Sequence, residues 1–306
     1  MGRVAEVNDF GDRDRVADIL ERGRAYGRMI KFSHTIFALP FALSAVILAQ
    51  RQHQMIISDI FWILLAMIGA RSSAMGFNRI ADARLDAKNP RTSKRDIPSG
   101  RLSLSSAIVF VILFSGLFIF SSAMLGKLCF YLSFPILVVL FSYSYTKRFT
   151  WLSHIYLGFA ISLAPAGAWI ALVKSFSWSV LILSLALMTY IAGFDILYAC
   201  QDIEFDKDEG LFSIPAHFGV KKALIIASII HLASFCFFFL IYIVFDMNLM
   251  YFCAVLIIGL LLIIEHRLVK PDDLSNVNFA FFHVNSLISI TLFLGVLADE
   301  LVRRWV

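Results

Sequence analysis

The stretch FWILLAMIGARSSAMGFNRIADARLD, residues 61–86, changes character within one helix length. A mostly apolar run, long enough to cross a bilayer, gives way to Asn78, Asp82 and Asp86 at four-residue spacing. At about 100° per residue these three side chains share one helical face. Carboxylates stacked in this way repel one another, and desolvation beside a membrane sharpens the repulsion. A divalent cation resolves that conflict, so the stretch reads as a membrane span ending in a cation-binding face.

The rest of the chain agrees with the first half of that reading. Of the 306 residues, 59% are hydrophobic, only 16% are charged and 30 are Phe, whereas soluble domains carry about a quarter charged residues. Hydropathy predicts nine spans, at roughly 30–50, 58–82, 104–124, 128–146, 151–173, 178–201, 222–245, 248–266 and 277–299. The short alternating segments of a transmembrane barrel are missing. The expected fold is therefore an all-α, polytopic membrane bundle of nine transmembrane helices. It forms a single membrane-embedded unit over 1–306, with residues 1–27 as a cytoplasmic N-terminal segment. Short turns make consecutive helices antiparallel neighbours. Only two connections, about 86–103 and 204–221, are long and polar.

Lys and Arg set the orientation. They crowd the N-terminal stretch and both long connections, and recur at Lys147, Arg148, Arg267 and Lys270. The opposite side has only Arg51, Lys127, Lys174, Arg303 and Arg304. The positive-inside rule places the N-terminus and both long loops in the cytoplasm, and an odd number of spans puts the C-terminus outside. The opening residues show no short apolar core ahead of a small-residue cleavage site, and MGRVAE lacks the Ser or Thr of a myristoylation signal, so neither a cleaved leader nor an acyl anchor is expected. Cys129, Cys200, Cys236 and Cys253 stand singly in apolar segments and read as small hydrophobes. The expected surroundings are the lipid bilayer, with no nucleic-acid partner.

A second stretch, DILYACQDIEFD at 195–206, repeats the acidic arrangement. Asp195, Tyr198, Asp202 and Asp206 are spaced three, four and four residues apart and hold one helical face. Each acidic face closes an apolar span and precedes a Pro-containing turn, DIPSG at 96–100 and SIPAHFG at 213–219. Two such faces opposite one another could hold Mg²⁺ around a diphosphate, since Mg²⁺ commonly takes one or two carboxylates together with substrate phosphates. Arg79, Lys88, Lys94, Arg95, Lys147 and Arg148 lie at the same helix ends and suit phosphate oxygens. Carboxylates for metal and bases for phosphate are what the departure of a diphosphate requires. Asp195 sits inside an apolar run, where an ionisable residue is expensive and functional by default. Tyr190 reads as a core aromatic. Asp208 and Glu209 read equally well as interfacial charges.

The motifs carry a family resemblance. NRIADARLD resembles the first acidic motif of the UbiA superfamily of intramembrane prenyltransferases, and DILYACQDIEFD resembles the second, most closely in the branch acting on 4-hydroxybenzoate. RTSKRDIPSG and TKRFT (146–150) are similar to further family features. The resemblance implies an aromatic prenyltransferase that joins a polyprenyl diphosphate to an aromatic acid acceptor, 4-hydroxybenzoate or a related dihydroxynaphthoate, in ubiquinone or menaquinone synthesis. It implies Mg²⁺ on Asp82, Asp86, Asp202 and Asp206, with Asn78 completing the diphosphate site. Lys147, Arg148 and Arg95 would meet the diphosphate directly. Catalytic roles would fall to Asp82, Asp202 and Asp195, the last beside the acceptor hydroxyl, with Tyr198 on the substrate. Lys31 and His34, with Arg28, are candidates for the acceptor carboxylate; a basic cytoplasmic anchor explains Arg28 and Lys31 as well. Family members often carry Asp directly after the first Asn, whereas here Arg79 follows Asn78, which removes one metal ligand. A bacterial inner membrane is the implied location.

Two other classes compete. A secondary transporter would explain Asp195 and the hint of a repeat, but not doubled carboxylates beside a Lys/Arg cluster; LAPAG at 163–167 is the only good candidate for a broken helix. Another membrane diphosphate-processing enzyme, a CDP-alcohol phosphotransferase, would show a D-G-x-x-A-R pattern that is missing.

Overall fold

The computed structural model describes residues 23–54 and 56–305; the segment read as cytoplasmic over 1–27 lies outside these as far as residue 22. The described chain is helical, without a named strand, and its main helices are α1 (Leu39–Ala49), α2 (Ile57–Ala81), α3 (Leu104–Leu125), α4 (Lys127–Thr146), α5 (Ser153–Val173), α6 (Trp178–Ala199), α7 (Val220–Val244), α8 (Leu249–Leu268) and α9 (Asn285–Trp305). Among the described residues, eight helices, α2 through α9 with their short extensions, are long and apolar enough to cross a membrane.

The first of the nine expected spans differs in form. Lys31 adopts a left-handed conformation (φ 47°), a 3₁₀ turn covers Phe32–Phe37, and α1 follows with only 11 residues. Polar residues Ser33, His34 and Thr35 fall in that turn, and Pro40 sits in the first turn of α1, where a missing N–H leaves no bond unmade. At about 1.5 Å per residue α1 alone covers about 16 Å. The six-residue 3₁₀ turn before it has a contour of about 12 Å at its longer rise, so α1 by itself is shorter than a hydrocarbon core of about 30 Å.

α1 is buried along most of its length, with Phe41, Ala42, Ala45 and Ala49 fully enclosed. It packs on α5 and α9, while α6 lies between α5 and α7 and α2 lies along α3. Two glycines set the closeness around α6. A Cβ at Gly158 would stand 2.2 Å from the Met188 carbonyl oxygen, and one at Gly193 would stand 2.1 Å from the His231 ring. No larger residue fits without moving a neighbouring helix. The outer faces carry Val138, Leu232, Leu113 and Ile263, all exposed and apolar, as lipid contact requires.

At the end away from the acidic motifs, Arg51 donates to Glu300 (Nε to Oε1, 2.7 Å), and Asp299 caps α8 by accepting from the backbone N–H groups of Asn248 (2.7 Å) and Tyr251 (3.1 Å). Leading into α9, a wide π turn at Ala280–Val284 leaves carbonyls that the Asn285 amide satisfies, at 3.3 Å to Ala280 and 3.2 Å to Phe281. Glu265 accepts from the same amide nitrogen at 2.8 Å. Such turns often mark functional places, and this one sets Phe281 against Tyr198 at 4.2 Å between ring centroids.

Candidate active site

The first acidic face survives the end of α2. The Asp82 N–H bonds the Asn78 carbonyl (2.9 Å) and the Asp86 N–H bonds the Asp82 carbonyl (2.8 Å), so the helical turn runs on into the short helix Ala83–Lys88. Asp82 is buried and accepts from Lys147 Nζ (2.7 Å), Asn78 Nδ2 (3.1 Å) and Arg148 Nη2 (3.4 Å). Asp86, also buried, receives Arg95 Nη1 on both oxygens at 2.7 Å. Arg79 lies within electrostatic reach of Asp86 and Asp82 but hydrogen-bonds elsewhere. Its Nε donates to the Met29 carbonyl (3.3 Å) and its Nη1 to Asn78 Oδ1 (3.3 Å), which leaves the Asn78 amide nitrogen facing Asp82.

The second face is less regular than its spacing implies. α6 stops at Ala199, a 3₁₀ turn spans Cys200–Asp202, and a separate helix covers Ile203–Asp208. The tighter turn rotates Asp202 and Asp206 relative to Asp195 and Tyr198. Asp202 accepts from Arg91 Nε (2.9 Å) and Nη2 and from Asn89 Nδ2 (3.2 Å). Arg91 also donates to the Tyr198 hydroxyl (2.8 Å), with its guanidinium 5.2 Å from the Tyr198 ring centre. Burial lowers the Arg91 pKa, but its hydrogen bonds to Asp202 together with the nearby charges of Tyr198, Asp202 and Asp86 outweigh that and hold it above the usual value. Asp206 accepts from Ser213 Oγ at 2.7 Å. Lys88 of the first connection reaches Glu209 of the second, at 2.7 Å. The structure thus brings the two acidic ends together through Asn89, Arg91 and Lys88, and Lys147, bonded to Asp82, also feels the charge of Asp206.

Beside the first acidic end opens an apolar cavity of about 210 Å³, lined by α2, α3, α4 and α5 with Thr35 and Ala38. Asn78, Tyr143 and Arg71 line its polar end, and Leu125, Cys129 and Ala171 its far end. Along α2 the lining runs from Asn78 back to Ile63, about 22 Å at 1.5 Å per residue. Tyr143 lies within electrostatic reach of both Asp195 and Asp82. Asp195 itself accepts from His154 Nδ1 at 2.7 Å.

Lys31, His34 and Arg28 do not form the single helical side that their spacing suggests, because the left-handed Lys31 breaks it. Arg28 pairs with Asp96 (3.2 Å), Lys31 Nζ stands 6.0 Å from the Tyr198 ring centre, and His34 packs among Phe37, Phe281 and Phe282. All three border a shallow opening with Arg24.

Sequence reading passed over Arg71, Asn89 and His154, and met Arg91 only as the first residue of RTSKRDIPSG. Arg71 did leave a signal, a cation inside an apolar span. Its Nη2 donates to the Lys31 carbonyl (3.1 Å), while its buried Nε has no hydrogen-bond partner. His154 left none, and neither did the pairing of Arg91 with Asp202, because the partners lie 41 and 111 residues away.

The donor set suits a hard cation. Asp82, Asp86, Asp202 and Asp206 offer only oxygen, with no thiol among them. Among the described residues no three acidic, imidazole or thiol groups converge as a ready-made metal cluster. Oxygen donors of this kind suit Mg²⁺, which completes its shell with substrate phosphates and water.

The family profile of the UbiA prenyltransferase family matches residues 38–287. The 4-hydroxybenzoate octaprenyltransferase of Vibrio campbellii is 26% identical over 282 residues, which cover 90% of this chain and 98% of the relative. That of Psychromonas ingrahamii is 30% identical, over 74% and 78% of the two chains. Among solved structures, the apo UbiA homolog from Aeropyrum pernix superposes with a TM-score of 0.79 at 30% identity, covering 87% of this chain and 98% of that one. A UbiA homolog from Archaeoglobus fulgidus bound to GPP and Mg²⁺ shares the fold, with a TM-score of 0.68 at 18% identity and coverage of 89% and 99%.

Proposed function

Since the chain belongs to the UbiA prenyltransferase family, we propose that it moves a polyprenyl group from its diphosphate to a hydroxy-aromatic acid, 4-hydroxybenzoate or a related dihydroxynaphthoate, in ubiquinone or menaquinone synthesis. The observation that carries this reading is the apolar cavity ending at Asn78, Tyr143 and Arg71, beside a first acidic face whose following loop reaches the second through Arg91 and Asn89. The names of the Vibrio and Psychromonas relatives support the aromatic acceptor, and the Archaeoglobus complex supports Mg²⁺ with a prenyl diphosphate.

Asp82, Asp86, Asp202 and Asp206 would hold Mg²⁺, which when bound neutralises charge on the departing diphosphate. Lys147, Arg148, Arg95 and Arg91, which pair with these acids, turn to phosphate oxygens. The tail lies in the cavity, where water that would quench an allylic cation is excluded. Arg71, with its unpartnered Nε at the polar end of the cavity, receives the acceptor carboxylate. Asp195 accepts the acceptor's hydroxyl proton as the ring attacks. The C1–O bond of the donor breaks with its electron pair leaving on diphosphate, and a new C–C bond forms ortho to the hydroxyl. The ring carbon then gives its proton to the released diphosphate, the aromatic ring is restored, and Asp195 returns the hydroxyl proton. The site faces the cytoplasm of a bacterial inner membrane, with the C-terminus outside, as the distribution of Lys and Arg supports.

The test is a membrane assay with labelled geranyl diphosphate and a panel of aromatic acids, with and without Mg²⁺. Transfer should need Mg²⁺ and should vanish in Asp82→Ala and Asp202→Ala while both proteins still insert. Full activity in either variant, or transfer without a divalent cation, refutes the reading.

A further inference from the structure

His154 opens α5, is 4% exposed, and has a hydrogen bond at each ring nitrogen. Nδ1 lies 2.7 Å from Asp195 Oδ2, and Nε2 lies 3.3 Å from the backbone nitrogen of Ile214. A backbone N–H can only donate, so Nε2 must offer its lone pair. The proton of a neutral imidazole then sits on Nδ1 and points at the Asp195 carboxylate. The second bond fixes the tautomer that makes the first, the logic by which a backbone group orients a working histidine.

The peptide that supplies this N–H has a second task. Ser213, directly before Ile214, donates its hydroxyl to Asp206 Oδ2 (2.7 Å) and caps the short helix Ile214–Phe218 by accepting from the Ala216 N–H (3.2 Å). Ser213 and Ile214 are both buried. One rigid dipeptide therefore grips a carboxylate of the diphosphate face with its side chain, and, through His154, the carboxylate on the acceptor side with its backbone.

We propose that His154 is the positioning residue for Asp195, held in its Nδ1–H tautomer by the Ile214 N–H, and that Ser213–Ile214 couples the geometry of the acceptor base to that of Asp206. The inference rests on the prenyl-transfer reading given above. The imidazole bond occupies Oδ2 and leaves Oδ1 to receive the acceptor hydroxyl proton. A neutral donor orients the carboxylate without supplying a cation that would quench its basicity. His154 touches neither substrate in this scheme.

The experiment uses the full chain in liposomes, with geranyl diphosphate and 4-hydroxybenzoate. His154→Leu removes both bonds. It should lower kcat by about 10–100-fold, the usual range for an outer-shell partner, while the KM for geranyl diphosphate stays unchanged. His154→Asn places an amide N–H near the former Nδ1 and should recover most of the lost kcat without restoring the bond to Ile214. The inference is overturned if the Leu and Asn variants have the same kcat per folded molecule. It is also overturned if His154→Leu keeps full kcat, or if its loss is matched by a parallel rise in the KM for geranyl diphosphate. Wild-type protein that prenylates no aromatic acid would instead overturn the reading beneath it, and that result is visible before any variant is made.

Discussion

Gly167 lines the apolar cavity, and a Cβ built there meets no heavy atom within 4 Å. A Phe at this position would grow into open space along the cavity without displacing a helix, so it shortens the room for the donor's tail and leaves the fold alone. The lining on α5 runs from Leu157 to Ala171, about 21 Å at 1.5 Å per residue. An isoprene unit adds four chain bonds of about 1.5 Å, hence about 5 Å of extended reach. That lining is as long as about four units, and Gly167, ten residues below Leu157, lies beside the end of about the third. The bilayer is as apolar as the cavity, so a longer tail gains little simply by leaving lipid. The effect of Gly167→Phe is consequently steric. Overpacking costs of about 1–3 kcal/mol correspond to about 5–150-fold in kcat/KM for donors that reach the new side chain. The assay compares geranyl, farnesyl and geranylgeranyl diphosphates with one acceptor, alongside thermal unfolding in detergent. The two shorter donors should keep wild-type kcat/KM, the longest should lose it, and the unfolding temperature should not move. An unchanged preference among the three, or an equal loss for all of them, refutes the placement of the tail.

Three further outcomes are expected. Arg71→Leu removes a charge-assisted contact worth about 1.5–3 kcal/mol; it should raise the KM of carboxylated acceptors and leave that of an uncharged phenol alone, and equal shifts for both would refute the role. Asp195→Asn keeps the contact with His154 but gives up the base, so kcat should fall far more than affinity for geranyl diphosphate, measured by equilibrium binding; equal losses count against the role. Gly193→Val drives a side chain into the His231 ring and should destabilise the protein by about 1–3 kcal/mol, read as a lower unfolding temperature with the activity of the surviving folded fraction retained.

The membrane bundle was legible because bilayer thickness forces long uncharged runs, and composition alone reveals them. What hydropathy could not register was the change from α to 3₁₀ geometry at Phe32–Phe37, where Lys31 turns left-handed and α1 is left with only 11 residues. The acidic faces were legible for a similar reason, since repulsion between carboxylates at four-residue spacing is a local matter. Arg71 could have been found by the same rule that singled out Asp195, an ionisable group inside an apolar run.

By itself, then, the sequence determined the class of fold, the two acidic helix ends and the cations gathered beside them, because each depends on residues within a few turns of one another. Only the tertiary structure decided which base meets which acid. Arg91 reaches Asp202 and His154 reaches Asp195 across 111 and 41 residues, and Arg79 donates to the Met29 carbonyl. Those pairings follow from how the helices pack at Gly158 and Gly193 and from where the two connections meet, and no spacing along the chain encodes them.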